Sequence, residues 1–155
     1  TEYHEKGKSD STPTMLGYQA DGAAPFIQGS RVHNPETIAT AIRIGNPQSW
    51  DQALKLSKES NGWFDAFSDE EILATQKMLT EKEGIFCEPA SAISVAGALR
   101  DIKSGKIPDG SSVVCTLTGH GLKDPDTAIS QCDPSAMINV NPTLEEVKKA
   151  ILNNM

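Results

Sequence analysis

Two short segments concentrate the residue types that could do chemistry. Thr118-Gly119-His120-Gly121 puts a hydroxyl and two glycines at the end of the apolar run 112–118. Glycines without a Cβ let backbone come close to a flat or anionic ligand. The competing reading is a tight strand-to-helix turn that needs positive φ, with His120 in solvent; a single Gly-x-Gly does not separate the two. Glu88, just before Pro89, is a carboxylate at the start of a predicted helix. It either complements the helix dipole or faces a ligand across a sheet edge. Arg43, between Ile42 and Ile44, suggests a buried ion pair or an anion contact. Gly22-Ala23-Ala24 follows another apolar run and reads as a packing turn or a ligand loop.

Other chemistries are poorly represented. No Ser/His/Asp arrangement and no phosphate-binding P-loop is visible. The lysines sit in surface-like patterns such as Glu81-Lys82-Glu83, and none has a context suited to a Schiff base. Cys87, Cys115 and Cys132 are odd in number and irregular in spacing, so they are expected to be free thiols in a reducing cytoplasm. With His4, His33 and His120 they show no zinc-ligand spacing, and no metal is expected.

The elements that would carry these segments follow from pattern. Residues 15–20 read as a short strand, broken by Asp21 to Pro25. Asn34-Pro35 reads as the start of a helix with Ile38 and Ile42 on one face, stopped by Gly45-Asn46-Pro47. Ser49 and Gln52 form a capping-box pattern for a helix to about Ser60, carrying Trp50, Ala53 and Leu54 inward. Residues 63–67 read as a strand. Ser68 with Glu71 caps a helix to Glu83, ended by Gly84. Residues 85–87 read as a brief strand that Glu88-Pro89-Ala90-Ser91 turns into a helix rich in Ala and Gly, ending at Lys103-Ser104-Gly105. Ser112 to Thr118 is rich in β-formers and reads as a strand buried on both faces. Thr143 with Glu146 caps a last helix. This alternation of strand and helix predicts a parallel α/β sheet, in which ligands collect at the C-terminal strand ends.

The chain of 155 residues suits one domain or part of a larger one. Its 37% apolar content supports a core, and no run reaches the ~20 residues of a membrane span. With 21 acidic against 14 basic residues the net charge is −7, the wrong sign for a nucleic-acid or anionic-membrane surface. The polar, acid-bearing start argues against a secretory leader. Thr1 is not a methionine, so translation is expected to begin upstream.

Four segments, GYQADGAAP, NPETIATAIRIGNPQSW, EGIFCEPASA and TLTGHGLKDPDTA, together resemble the C-terminal half of the bacterial threonine synthases in order and spacing, over about residues 1–130. Each is modest alone; four in register are specific. The resemblance implies a fold type II pyridoxal-phosphate enzyme, an α/β three-layer with a mainly parallel sheet, of whose large domain this chain would be part. It implies the conversion of O-phospho-L-homoserine and water to L-threonine and phosphate. It divides the chain into a polar tail (1–13), an α/β half of the catalytic core (14–130) and a C-terminal tail with a short helix (131–155). The Schiff-base lysine would lie in a missing N-terminal half, so no catalytic residue falls here and the fragment alone would be inactive. Thr118 is expected to bond the cofactor's pyridine nitrogen, beside Gly119. Glu88 would face the ring region, and the backbone of Ala20, Gly22 and Ala23 would line its open side. The N-terminal half is the implied partner, with a homo-oligomer or self-association of the fragment. A sister threonine-dehydratase-like or cysteine-synthase-like enzyme and a stand-alone non-catalytic ligand- or partner-binding domain are the alternatives.

Overall fold

The computed structural model describes residues 2–132 and 138–153, which form two compact units, 1–124 and 125–155. The first unit opens with a single helical turn, α1 (Glu2–Glu5), followed by strand β1 (Leu16–Ala20). Two short turns, Asp21–Ala23 and α2 (Pro25–Gln28), break the chain where Gly22 and Pro25 forbid continuation. Helix α3 (Trp50–Glu59) then leads into strand β2 (Trp63–Phe67). The two strands are parallel, in register from Leu16 opposite Trp63 to Ala20 opposite Phe67. A parallel pair needs such a crossover, here supplied by residues 21–62.

Helix α4 (Asp69–Glu83) starts where sequence places it. The Ser68 hydroxyl accepts from Glu71 N–H, and the Glu71 carboxylate accepts from Ser68 N–H, closing both halves of a capping box. Gly84 ends it in the left-handed region at φ 67°. Helix α5 (Pro89–Lys103) begins on Pro89 and lays a face of small residues, Ala92, Ala96, Gly97 and Ala98, inward. A Cβ on Gly97 would sit 2.3 Å from the Tyr18 ring, so only glycine lets that ring lie on the helix.

The strands are covered on both faces. On one, Tyr18, Ala20 and Phe67 pack with Ala39, Ile72, Ile93 and Ala96 in the main cluster. On the other, Phe26 of α2 stacks on Phe64 at 4.4 Å and meets Trp50 of α3 at 4.8 Å. Helix–sheet–helix layering about a parallel pair is the expected α/β three-layer class. A second cluster, Leu79, Cys87 and Ala92, with Leu117 against it, joins α4 to α5.

Four local expectations need correction. Residues 34–44 are not a helix; one 3-10 turn, Thr40–Ile42, interrupts a loop. Thr37, Ile38, Thr40, Ile42 and Ile44 are all β-branched and disfavour helix. Asp69 also captures the donors a helix would use, accepting from the Thr37 hydroxyl at 2.5 Å and from Ile38 N–H at 3.0 Å. Ser49 precedes α3 with φ −94°, ψ 38° and makes no side-chain cap. Residues 85–87 form no strand; a single antiparallel bridge joins Cys87 to His120.

Residues 112–118 are extended but belong to no ladder among the described residues, and they are not buried on both faces. Cys115 and Leu117 are half-buried, with the Cys115 thiol 3.6 Å from the Ser94 carbonyl, while Val114 is 91% exposed. A β-rich run needs neighbouring strands for its backbone groups, and here one side rests on α5 while the other has none.

The second unit holds α6 (Pro125–Ser130) and α7 (Leu144–Leu152). As expected, Thr143 caps α7, its hydroxyl accepting from Glu146 N–H at 3.4 Å. Among the described residues no helix is long and apolar enough to cross a membrane.

Candidate functional site

The first turn of α5 and the end of the extended run 112–118 are bound together by one side chain. Ser91 stands at the third position of α5, one turn from Glu88, so both side chains lie on the same face. The Ser91 hydroxyl oxygen accepts from Thr118 N–H and from Gly119 N–H, both at 3.1 Å. It also lies 3.3 Å from the Thr118 hydroxyl and 3.4 Å from Glu88 Oε1. Two successive amide groups converging on one point are a nest, which usually holds an anion; Ser91 fills this one.

The backbone of the two segments is zipped on either side. Glu88 N–H donates to the Gly119 carbonyl at 2.9 Å, and Gly121 N–H donates to the Phe86 carbonyl at 3.0 Å. Helix α4 holds the first segment from behind, with Gln76 Nε2 donating to the Cys87 carbonyl at 2.7 Å. His120 is exposed, as expected of a turn histidine. Its Nδ1 accepts from Leu122 N–H at 3.2 Å, so the neutral ring carries its proton on Nε2.

Glu88 is a buried carboxylate, 3% exposed. Lys123 Nζ lies 3.0 Å from Oε2, outside hydrogen-bonding direction, so that oxygen has charge compensation but no hydrogen bond. A Cβ on Gly119 would fall 1.9 Å from Glu88 Oε1. Glycine at this position is therefore required by the carboxylate above it.

Thr118 is exposed, and its hydroxyl stands at the rim of this cluster. The structure thus brings together Glu88, Thr118 and Gly119 of the expected residues. Ala20 and Ala23 are buried and Gly22 is exposed. No hydrogen bond among the described residues links these three to the cluster. A Cβ on Gly22 would meet the Glu36 carbonyl oxygen at 1.9 Å, so a close backbone crossing accounts for that glycine. Among the described residues Arg43 forms no ion pair, and it is exposed rather than buried. It donates from Nε and Nη2 to the Thr37 carbonyl, at 2.9 and 2.6 Å, and staples its own loop.

Sequence reasoning passed over Ser91 and Lys123. A hydroxyl three residues after Glu88 on a helix was the available signal for Ser91; nothing local distinguished Lys123 from a surface lysine. Cys87 and Cys115 are free, and burial pushes both thiols above their ordinary pKa. Among the described residues no cluster of ligating side chains could hold a metal ion.

The exposed Thr118 hydroxyl at the end of the run 112–118 fits the polar edge of a flat heteroaromatic group. The donor set is right for such a ring: one hydroxyl at the rim, and a carboxylate held back by Lys123. Comparison with known proteins agrees. Residues 2–119 match the family described as pyridoxal-phosphate dependent enzymes. The chain belongs to that family, whose members take pyridoxal phosphate as cofactor.

It is also 52% identical over 150 residues to a protein of Synechocystis sp. named threonine synthase, covering 97% of this chain and 39% of that one. The Mycobacterium tuberculosis protein of the same name is 54% identical over 142 residues, covering 92% and 39%. That of Methanocaldococcus jannaschii is 49% identical over 136 residues, covering 83% and 34%. The chain thus spans about two fifths of the length of the Synechocystis and Mycobacterium tuberculosis proteins. The crystal structure of the T.th. threonine deaminase superposes with a TM-score of 0.50 at 21% identity, over 74% of this chain and 42% of that one. At that identity the likeness is one of fold.

Proposed function

We propose that this chain forms the ring-nitrogen side of the cofactor pocket of a threonine synthase, which converts O-phospho-L-homoserine and water to L-threonine and phosphate. The observation that carries the reading is about half identity, across nearly the whole chain, to proteins bearing that name. Pyridoxal 5′-phosphate, when bound, supplies the electron sink for bond-making and bond-breaking at the substrate.

The residues of this chain position and polarise. Thr118 donates its hydroxyl proton to the pyridine nitrogen. A hydroxyl, unlike a carboxylate, does not hold a proton there, so the ring stays a weaker sink and the pocket must steer by placement. Gly119, beside Thr118, leaves room for the Glu88 carboxylate that packs against its backbone. Glu88, compensated by Lys123, faces the ring region, and the backbone of Ala20, Gly22 and Ala23 lines the open side.

The Schiff-base lysine and the loops for the substrate carboxylate and cofactor phosphate belong to the rest of the protein. No residue here is assigned a catalytic role, and this portion alone is inactive. Residues 14–130 belong to the catalytic core, flanked by 1–13 and 131–155. The free cysteines suit a cytoplasmic protein.

The test is product analysis on the full-length protein. Phosphate released from O-phospho-L-homoserine supports the reading; ammonia released from threonine, with no phosphate, replaces it with a dehydratase of the same fold. Thr118→Val in that protein is expected to weaken cofactor binding and shift its absorption band. An unchanged band and unchanged turnover would remove Thr118 from the ring.

A further inference from the structure

We propose that the groove between β1 and the run 112–118 seats one further strand: an extended segment of the polypeptide N-terminal to Thr1, lying parallel to both. The proposal needs the fold and a longer protein, not the identity of the substrate, so it can fail while the threonine synthase reading stands.

Helix α5 sets the direction of both walls. Ser91 meets Thr118 and Gly119, and Ser94, a turn further on, meets Cys115, so the run is antiparallel to the helix. Tyr18 reaches Gly97 and Asp101, while Ala20 packs in the cluster with Ile93 and Ala96, so β1 is antiparallel to the helix too. The two walls therefore run parallel to each other, with their C-terminal ends toward the start of α5. Among the described residues β1 has β2 on one edge and no strand on the other, and the run has no strand on either. Between the walls lies a groove of about 800 Å³, with Ser94 and Ala98 of α5 beneath it and Leu16, Tyr18 and residues 113–116 along its sides.

The size fits one strand. Backbone rise, strand spacing and layer spacing together give a strand residue roughly 160 Å³. The groove thus holds about five residues, the length of β1 and of β2. Ser94 and Ala98 stand one turn apart on one helix face, and their small side chains let a strand lie against it. The chain spans 39% of the length of its Synechocystis and Mycobacterium tuberculosis relatives, so most of such a protein is left to supply the segment. A second copy's run 112–118 is a poor occupant, because it is already seated on its own α5 through Ser91 and Ser94. A strand parallel to both walls ends level with Ala20 and Thr118. The chain leaving it then enters the end of the sheet where ligands collect, and the candidate cofactor site is incomplete without it.

The test is nuclear magnetic resonance on the full-length protein, labelled with nitrogen-15. Amides of residues 113–116 and of the outer edge of β1 are expected to exchange with solvent as slowly as those shared by β1 and β2. Amide-to-amide Overhauser contacts are expected from both walls to a single segment N-terminal to Thr1, in parallel order. Fast exchange along both walls, or contacts from the two walls to two different segments, overturns the proposal. In a sample mixed from two differently labelled preparations, wall contacts that cross between molecules would seat a second copy there and overturn it as well.

Discussion

The phenol of Tyr18 on β1 and the carboxylate of Asp101 on α5 meet at 2.7 Å across 83 residues of chain. The same oxygen, Asp101 Oδ2, accepts from Trp63 Nε1 at 2.7 Å, so one buried carboxylate ties both strands to the helix that covers them. Asp65 on β2 adds an ion pair with Arg100 at 2.6 Å, and the Arg100 guanidinium lies 3.7 Å from the centre of the Phe67 ring. The helix that carries Ser91 at its start is thus anchored to the sheet at its far end.

Tyr18→Phe in the full-length protein removes one of the two donors to Asp101 and leaves a buried acceptor half satisfied. The expected cost is about 1–3 kcal/mol, the usual penalty for such a group. Urea unfolding followed by tryptophan fluorescence checks it, because Trp63 reports on the same carboxylate.

That hydroxyl also predicts a pH dependence. Burial, and then the bond to Asp101, hold the Tyr18 phenol well above its ordinary value of 10.0. Above about pH 10 the unfolded chain releases the proton while the folded one keeps it. The contribution is therefore whole below pH 10 and falls as pH rises beyond it. Urea midpoints measured from pH 8 to 11 should decline with pH in the wild type, and less steeply in Tyr18→Phe.

Gly119→Ala should be disruptive because the new methyl would fall on the Glu88 carboxylate. Overpacking of this kind costs about 1–3 kcal/mol. Combining it with Glu88→Ala should recover part of the loss, giving a non-additive cycle. Additive effects in urea unfolding would show that the glycine serves some purpose other than clearance.

Ser68→Ala deletes the hydroxyl half of the α4 capping box and should cost about 1 kcal/mol. Ser49→Ala, before α3, should cost less than half as much, since Ser49 makes no side-chain cap. Equal losses of stability in thermal unfolding would contradict the difference in geometry.

Thiol labelling should order the cysteines. Cys132 is exposed and should react first with a disulfide reagent, and Cys87, buried with its thiol pKa raised, only on unfolding.

What sequence could reveal tracks how local the cause is. Helices α4 and α5 were legible nearly to their ends, because Ser68, Glu71, Gly84 and Pro89 mark them by short-range geometry. Strands β1 and β2 were legible from their flanking breakers. The loop 34–44 was not, because Asp69, about thirty residues away, takes the donors that a helix would have used. Thr118, Gly119 and Glu88 could be singled out by type and then by resemblance. The role of Ser91 could not, since it depends on two amides twenty-seven and twenty-eight residues away arriving at one oxygen.

The run 112–118 has a consequence for handling this chain. Val113-Val114-Cys115-Thr116-Leu117 has strong β propensity, no charge and no proline, the composition of segments that nucleate fibrils. Among the described residues the run pairs with no strand, and Val114 stands almost wholly in water. Such a rim is a template on which any spare extended peptide, including a second molecule's identical run, can crystallise. A lysine at position 114 would act as a gatekeeper, lengthening the lag before turbidity in concentrated stocks.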